Sequence, residues 1–252
     1  MTSVLPFFYM MNLVLLTRLF YQFRDSPIRK KDLPVKTLIE FAGFLLLHWN
    51  GWLLASAVGI LILNILAYRI EKREEQINLK RLLILAGYFL LFGLFFAPGF
   101  QIAFNDRLIS FVVQLSSYHL LIEGLQKIHW ISFHIVLWGF LLSLNEANIF
   151  IRYFFEVLQL APLTRKSKMK AEIDMKEYNR GRVIGFLERA LIYFFMISGQ
   201  YAAIGFILTA KGITRFKELD RRDFAEYFLI GTLLSAILAG AIALLVKILL
   251  PS

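Results

Sequence analysis

The chain has 252 residues, of which 58% are hydrophobic, and its mean hydropathy is +0.64. Soluble domains are about half apolar or less, and one water-soluble core of this length does not hide so much apolar surface, so a soluble enzyme is excluded. The net charge of +10 does not indicate a nucleic-acid partner, because the basic stretches are short, include acidic residues and lack an aromatic-rich recognition element. The absence of cysteine excludes disulfides and thiolate chemistry.

Basic residues are concentrated between apolar runs. Of the 28 Lys and Arg, 22 fall in four stretches, 24–36, 69–81, 165–182 and 211–222. Apolar runs separated by short basic loops are typical of helical membrane proteins, whose cytoplasmic loops are rich in Lys and Arg. We therefore predict an all-α polytopic membrane protein with six or more apolar segments. It forms one integral membrane domain, 1–252, whose basic loops face the cytoplasm and anionic lipid headgroups.

The predicted elements begin with an apolar segment that has neither a basic n-region nor a small-residue cleavage site, so we expect it to remain as the first helix. Apolar segments follow in chain order at 7–23, 37–68, 82–104, 108–126, 129–155, 183–210 and 224–250. The 108–126 segment contains several polar residues and is expected to be either an interfacial helix or a wet span.

Two of these segments are longer than one span and are interrupted by polar residues. A continuous helix over 37–68 would be about 48 Å long, against a hydrocarbon core of about 30 Å. Its middle contains His48 and Asn50, and the 183–210 segment is interrupted at Ser198-Gly199-Gln200. Each is either a strongly tilted helix or a re-entrant hairpin. If all four basic loops lie on one side, both segments must enter and leave by that side, which favours re-entrant hairpins.

The order of segments suggests a weak internal repeat with halves 1–127 and 128–252. A shift of 146 residues places Gly59 on Gly205 and Arg69 on Arg215. Such identities are common by chance in apolar sequences. If the repeat is real, it is a parallel repeat of the kind found in some transporters.

Polar and ionisable residues inside apolar segments are the candidate site residues, because a charge in a bilayer needs a partner or water. The set consists of Glu188, Arg189, Gln200, Lys211, Arg215, Glu226, Asn145, Glu146, His48 and Asn50. Glu188 and Arg189 form either a binding-site ion pair or an interfacial anchor. Lys211, Arg215 and Glu226 are near enough in sequence to join Glu188 in a salt-bridged cluster. The other members of the set either line a central cavity or make interhelical hydrogen bonds; these are His48, Asn50, Asn145, Glu146 and Gln200.

Small residues recur along the last helix, where they allow close approach of another helix. Gly231, Ser235, Ala239 and Ala243 are spaced every four residues, and Gly181 and Gly185 form a second pair at the start of the preceding segment. Tight packing within the chain and homo-oligomerisation are the two interpretations.

No motif indicates catalysis, a cofactor or a metal. The sequence lacks a glycine-rich phosphate loop, a Gly-x-Ser-x-Gly elbow and a His-Glu-x-x-His pattern. Among the histidines, His119 has Glu123 at i+4, but two ligands do not complete a metal site.

The C-terminal part of the chain, 181–235, resembles a bacterial family of multi-spanning membrane proteins of unknown function. The resemblance rests on spaced residues, namely Gly181, Gly185, Glu188, Arg189, Gln200, Gly205, Lys211, Arg215, Glu226, Gly231 and Ser235. It implies a bacterial membrane location and gives no activity. We expect that membrane to be the inner one.

Two functions are compatible with this pattern. The first is a non-enzymatic membrane protein that associates with itself or a membrane-protein partner through its packing helices and presents a basic cytoplasmic face. The alternative is a small-solute or ion transporter with a midplane polar site between the broken helices. A lipid-modifying enzyme is a third class, without a recognisable catalytic set.

Overall fold

A computed structural model describes residues 4–23, 26–73, 75–107, 110, 129–159, 175–216, 219–220 and 222–251. Over these ranges the chain is helical and forms no extended strand, so the predicted all-α class is confirmed. The helices are α1 (Val4–Arg18), α2 (Asp32–Gly43), α3 (Gly51–Glu71), α4 (Ile77–Phe95), α5 (Trp130–Leu141), α6 (Ala147–Val157), α7 (Met175–Ile197), α8 (Tyr201–Thr214) and α9 (Arg222–Leu249). The polar segment expected at 108–126, with His119 and Glu123, lies outside the described residues apart from Ser110.

The chain forms two compact units. Unit 1 contains Met1–Arg18, Asp25–Trp138 and Pro251, and unit 2 contains Leu19–Arg24, Gly139–Leu250 and Ser252. The internal repeat and its halves remain predictions.

Unit 1 is built from α1 to α4 and the first part of α5. α3 and α4 pack along their lengths, and α1 packs against both α2 and α4. Close packing is possible because a glycine faces the neighbouring helix: a Cβ added to Gly59 of α3 would lie 2.2 Å from Leu91 Cδ1 of α4. Side chains of α3 and α4 therefore interlock at this point in the apolar core of unit 1.

The first over-long segment is divided into two helices at the predicted place. α2 ends at Gly43, a 3₁₀ turn covers Phe44–Leu46, and α3 begins after Asn50, whose Oδ1 accepts a 2.7 Å hydrogen bond from the Leu53 N–H. This is the usual N-cap arrangement for asparagine. The two helices pack against each other: Glu40 of α2 contacts Asn64 of α3. Ile28, in the linker before α2, contacts Glu71 at the end of α3.

The break in this segment is paired with the stretch that follows α4. Leu47 and Phe104 form an antiparallel β-bridge, with 2.8 Å from His48 N to Ala103 O and 2.9 Å from Asn105 N to Leu46 O. These bonds occupy backbone groups that would otherwise be left open by the interruption of the helix.

Unit 2 is built around α7 and α9, which make its most extensive helix–helix contact. α5 continues through a π-helical turn, Leu142–Glu146, into α6. α7 ends where the sequence predicted a break: Gly199 has φ +73°, Gly199 N bonds Met196 O, and Gln200 N bonds Phe195 O. This hydrogen-bond pair is the Schellman motif, and glycine provides the left-handed residue that it requires. α8 then packs back against α7.

Five helical stretches in the described part of the chain are long and apolar enough to cross a membrane: Val4–Tyr21, Gly51–Glu71, Ile77–Phe95, Trp130–Val157 and Ala225–Leu249. Much of their apolar surface faces outward; Leu90 is 76% exposed and Ile248 is 80% exposed. Apolar surface on this scale is compatible with an integral membrane protein, because lipid takes the place of water around it. The expectation of six or more spans remains a prediction.

Candidate functional site

Five polar side chains from four helices meet inside unit 1. Thr17 of α1, Lys36 and Glu40 of α2, Asn64 of α3 and Tyr88 of α4 are each at most 4% exposed. We call these residues the Lys36 cluster. A buried ionisable pair in a bundle of apolar helices is expensive to maintain, so its presence marks a candidate functional site.

The Lys36 ammonium group has three oxygen partners. Its Nζ lies 2.5 Å from Glu40 Oε1, 2.5 Å from Asn64 Oδ1 and 2.9 Å from the Tyr88 hydroxyl oxygen. A lysine ammonium group carries three N–H donors, so all of its hydrogen-bonding capacity is used.

The Glu40 carboxylate is equally well satisfied. Besides Lys36, Oε1 accepts a 2.7 Å hydrogen bond from the Thr17 hydroxyl, and Oε2 accepts a 2.6 Å bond from Asn64 Nδ2. The Tyr88 hydroxyl donates to Asn64 Oδ1 at 2.5 Å. Each charge is thus neutralised by the other, and neutral groups occupy the remaining positions, which is the condition under which a buried ion pair is tolerated.

A second buried group, the Arg81 cluster, lies where the basic linkers meet α3 and α4. Arg81 Nη2 donates to Ser26 O at 3.0 Å and lies 3.4 Å from Glu71 Oε2, which also accepts from Ile28 N at 3.2 Å. Arg18 Nη2 donates to Arg81 O at 3.0 Å. Arg18, Glu71 and Arg81 are at most 1% exposed, so these charges hold the 26–28 linker onto the helix ends instead of facing solvent.

In unit 2, one contact of the predicted cluster around Glu188 is present, the ion pair with Lys211. Lys211 Nζ lies 2.6 Å from Glu188 Oε2, with the side chains 19% and 11% exposed. The pair joins α7 to α8 across the Gly199 turn, as the sequence distance between them suggested. Glu226 instead accepts a 2.9 Å hydrogen bond from Arg222, on an exposed face of α9, and Arg215 ends α8 half-buried.

The predicted polar residues Asn145 and Glu146 lie in the π-helical turn and are buried. Asn145 Nδ2 donates to Glu146 Oε1 at 2.8 Å, and Arg189 Nη2, on α7, donates to Leu144 O at 3.1 Å. Within the described residues, Ser143 Oγ and Asn145 Oδ1 have no hydrogen-bond partner in the protein. Single π-turns inside α-helices occur frequently at functional sites, and this one places three polar side chains within a candidate span.

Other candidate residues lie elsewhere. His48 and Gln200 are exposed, and Asn50 is half-buried, where it caps α3. Gly181 is exposed with open space around it, and the nearest atom to an added Cβ on Gly185 is Arg189 Nη1 of the same helix. The central cavity expected from these residues remains a prediction.

The small-residue stripe of α9 is covered within unit 2. Ala239 and Ala243 are fully buried and Ser235 is 8% exposed. A Cβ added to Gly231 would lie 3.2 Å from Phe155 Cζ of α6. Small side chains here let α7 and α6 approach the α9 backbone closely, which is the intramolecular alternative stated above.

Ala239→Leu should lower the free energy of unfolding by about 1–3 kcal/mol, because the added atoms have no space in a packed core. Ala241→Leu, on the exposed side of the same helix, is the matched control and should change stability by less than about 0.5 kcal/mol. Thermal unfolding of the purified variants measures both. Dissociation of an oligomer by Ala239→Leu with an unchanged unfolding transition would instead place the stripe in an intermolecular interface.

The Lys36 cluster was missed because its members are scattered singly through the sequence. Glu40 and Asn64 both lie inside the apolar segment 37–68, and an ionisable residue at such a position is itself a signal. Thr17 and Tyr88 carry no signal, since a threonine or tyrosine in an apolar helix is common.

The described residues contain no group of three or more His, Asp or Glu side chains placed to hold a metal ion. No family model, curated protein or solved structure matches this chain.

Proposed function

We propose that the chain is a membrane transport protein that moves a small solute or ion past the Lys36 cluster. The observation that supports this best is the buried pair of Lys36 and Glu40, enclosed by polar groups from α1, α3 and α4 within a bundle of apolar helices. Ionisable residues in that environment typically belong to solute pathways or proton relays.

Association through the small-residue stripe has less support, because Ala239 and Ala243 are covered inside unit 2. A homo-oligomer or membrane-protein partner would need a different surface. The proposal includes contact of the basic loops with anionic lipid headgroups. It also includes a bacterial membrane location, as implied by the resemblance of 181–235, and placement in the inner membrane.

The proposal includes two re-entrant hairpins, α2–α3 and α7–α8. In transporters, discontinuous helices bring polar residues to the middle of the bilayer, where the substrate is bound. The interrupted segment α2–α3 carries Lys36, Glu40 and Asn64, and α7–α8 carries Glu188 and Lys211. In both cases the polar partners come from the two arms of one hairpin.

This topology predicts that Lys30→Cys and Lys72→Cys, which flank α2–α3, react with a membrane-impermeant maleimide from the same side. Both positions are exposed, and the chain contains no other cysteine to react. Gln101→Cys, exposed after the single span α4, should react from the opposite side. Labelling of intact cells and of inverted vesicles measures sidedness. Reaction of positions 30 and 72 from opposite faces would contradict the hairpin.

Transport is tested in reconstituted vesicles with radiolabelled methylammonium, acetate and alanine, which represent a cation, an anion and a zwitterion. Glu40→Gln removes the buried negative charge and one charge-assisted contact of about 1.5–3 kcal/mol, so uptake should fall about ten- to a hundredfold. Glu75→Gln, exposed in the same unit, is the matched control and should leave uptake unchanged.

Size-exclusion profiles separate loss of transport from loss of folding, and Glu40→Asp, which keeps the charge, should retain more uptake than Glu40→Gln. If none of the three solutes enters vesicles faster than it enters protein-free vesicles, or if Glu40→Gln transports as well as the unmodified chain, the proposal is wrong.

A further inference from the structure

The Lys36 cluster has the composition of a cation site when its own cation is set aside. The remaining groups are one carboxylate, Glu40, and the neutral oxygens of Asn64, Tyr88 and Thr17. The donors of these neutral groups are turned inward: Asn64 Nδ2 and the Thr17 hydroxyl bond Glu40, and the Tyr88 hydroxyl bonds Asn64. An anion would therefore lie next to a carboxylate, and the O–H and N–H donors around it are already engaged in hydrogen bonds within the cluster.

The number and spacing of the acceptors fit a primary ammonium group. Nζ of Lys36 is within 2.5–2.9 Å of three oxygens from three different side chains, one for each N–H donor.

Other cations fit this arrangement less well. Ca²⁺ takes about six to eight oxygen ligands, and Mg²⁺ requires near-ideal octahedral coordination and keeps several waters, for which a fully buried cluster has no source. A guanidinium group presents its donors in a flat fork that suits a bidentate carboxylate contact, whereas these three oxygens come from α2, α3 and α4 and surround one point.

We infer that the Lys36 side chain is an internal occupant of a binding site for a primary ammonium ligand, either the ammonium ion or the –NH₃⁺ group of a small amine. This inference rests on the proposed transport function and names its substrate class. Exchange of one –NH₃⁺ group for another keeps both the charge and the hydrogen bonds of Glu40, Asn64 and Tyr88. Release of Lys36 without a replacement would leave a buried carboxylate unpaired, so the site is vacated only as the ligand enters.

The cage is tested directly in Lys36→Ala, which removes the ammonium group and the three methylene groups next to it. Purified Lys36→Ala is unfolded thermally in the presence of methyl-, ethyl-, n-propyl- and n-butylammonium chloride. We expect a saturable rise in the unfolding temperature that is largest for n-propylammonium, whose length matches the deleted atoms. Tetramethylammonium, which has no N–H donor, should have no such effect, and Lys36→Ala combined with Glu40→Gln should lose the response.

The exchange is tested in the unmodified chain, since a lysine with a purely structural role would also leave a cage that amines fill. Uptake of radiolabelled methylammonium into reconstituted vesicles should be inhibited by excess ethylammonium and unaffected by tetramethylammonium. Equal inhibition by ethylammonium and tetramethylammonium overturns the inference. So does the absence of methylammonium uptake by the unmodified chain when alkylammonium ions stabilise Lys36→Ala. If acetate or alanine is taken up without competition from ethylammonium, transport stands and the ammonium assignment fails. If no solute is carried, the proposed function itself fails.

Discussion

Lys36→Met should lower the free energy of unfolding by about 3–5 kcal/mol, the usual cost of removing one partner of a buried ion pair. The loss arises because Glu40, fully buried, would be left without its cation, with only the Thr17 hydroxyl and the Asn64 amide as donors. Methionine has a similar length and fills most of the space, so the effect reports mainly on charge. Reversible unfolding of the purified protein in mixed micelles measures the change.

Two further variants identify the cause. Lys36→Met combined with Glu40→Gln removes both charges while keeping hydrogen-bonding groups next to Thr17 and Asn64, so it should be more stable than Lys36→Met alone. Lys30→Met, on the exposed part of the preceding linker, should have an effect below about 0.5 kcal/mol. If the double variant is as unstable as the single one, the unpaired carboxylate is not the source of the loss.

Arg81→Met is expected to have the second largest effect, about 3 kcal/mol or more, because it leaves the buried Glu71 without this cation and frees the carbonyl of Ser26. The linker would then lose one of its attachments to the end of α4. Limited proteolysis of the linker together with the unfolding transition measures both consequences.

Arg69→Met provides the matched control, since Arg69 is an exposed arginine near the end of α3. It should change stability by less than about 0.5 kcal/mol. Arg81→Lys keeps the charge but loses the planar fork that reaches Ser26 and Glu71 together, so an intermediate loss is expected. Similar results for positions 69 and 81 would mean that burial of Arg81 does not contribute to stability.

Local features were predictable from the sequence because short-range chemistry determines them. The end of α7 follows from Gly199, since only glycine adopts the left-handed conformation of the Schellman motif at little cost. The start of α3 follows from Asn50, whose side chain caps the helix. The pairing of Glu188 with Lys211 follows from the same turn. The two residues lie at similar sequence distances before and after Gly199, so the turn brings them together.

The Lys36 cluster and the π-helical turn were not predictable by the same reasoning. The cluster takes its members from α1, α2, α3 and α4, so it exists only after four helices have packed in one register. The turn at Leu142–Glu146 differs from an α-helix by the Ala147 N–H bonding to Leu142 O, and no residue there breaks a helix. Its position therefore depends on tertiary contacts such as that of Arg189 with Leu144 O.

The β-bridge of Leu47 with Phe104 has a consequence for where the α2–α3 break can lie. Irregular backbone at the depth of the hydrocarbon is tolerated only where protein or enclosed water satisfies its peptide groups. Here the Leu46 carbonyl accepts from the Asn105 N–H, and the His48 N–H donates to the Ala103 carbonyl. The break between α2 and α3 is thus held beside residues 103–105, just after α4. Any motion that displaces it must either carry the chain after α4 along or break both hydrogen bonds at once.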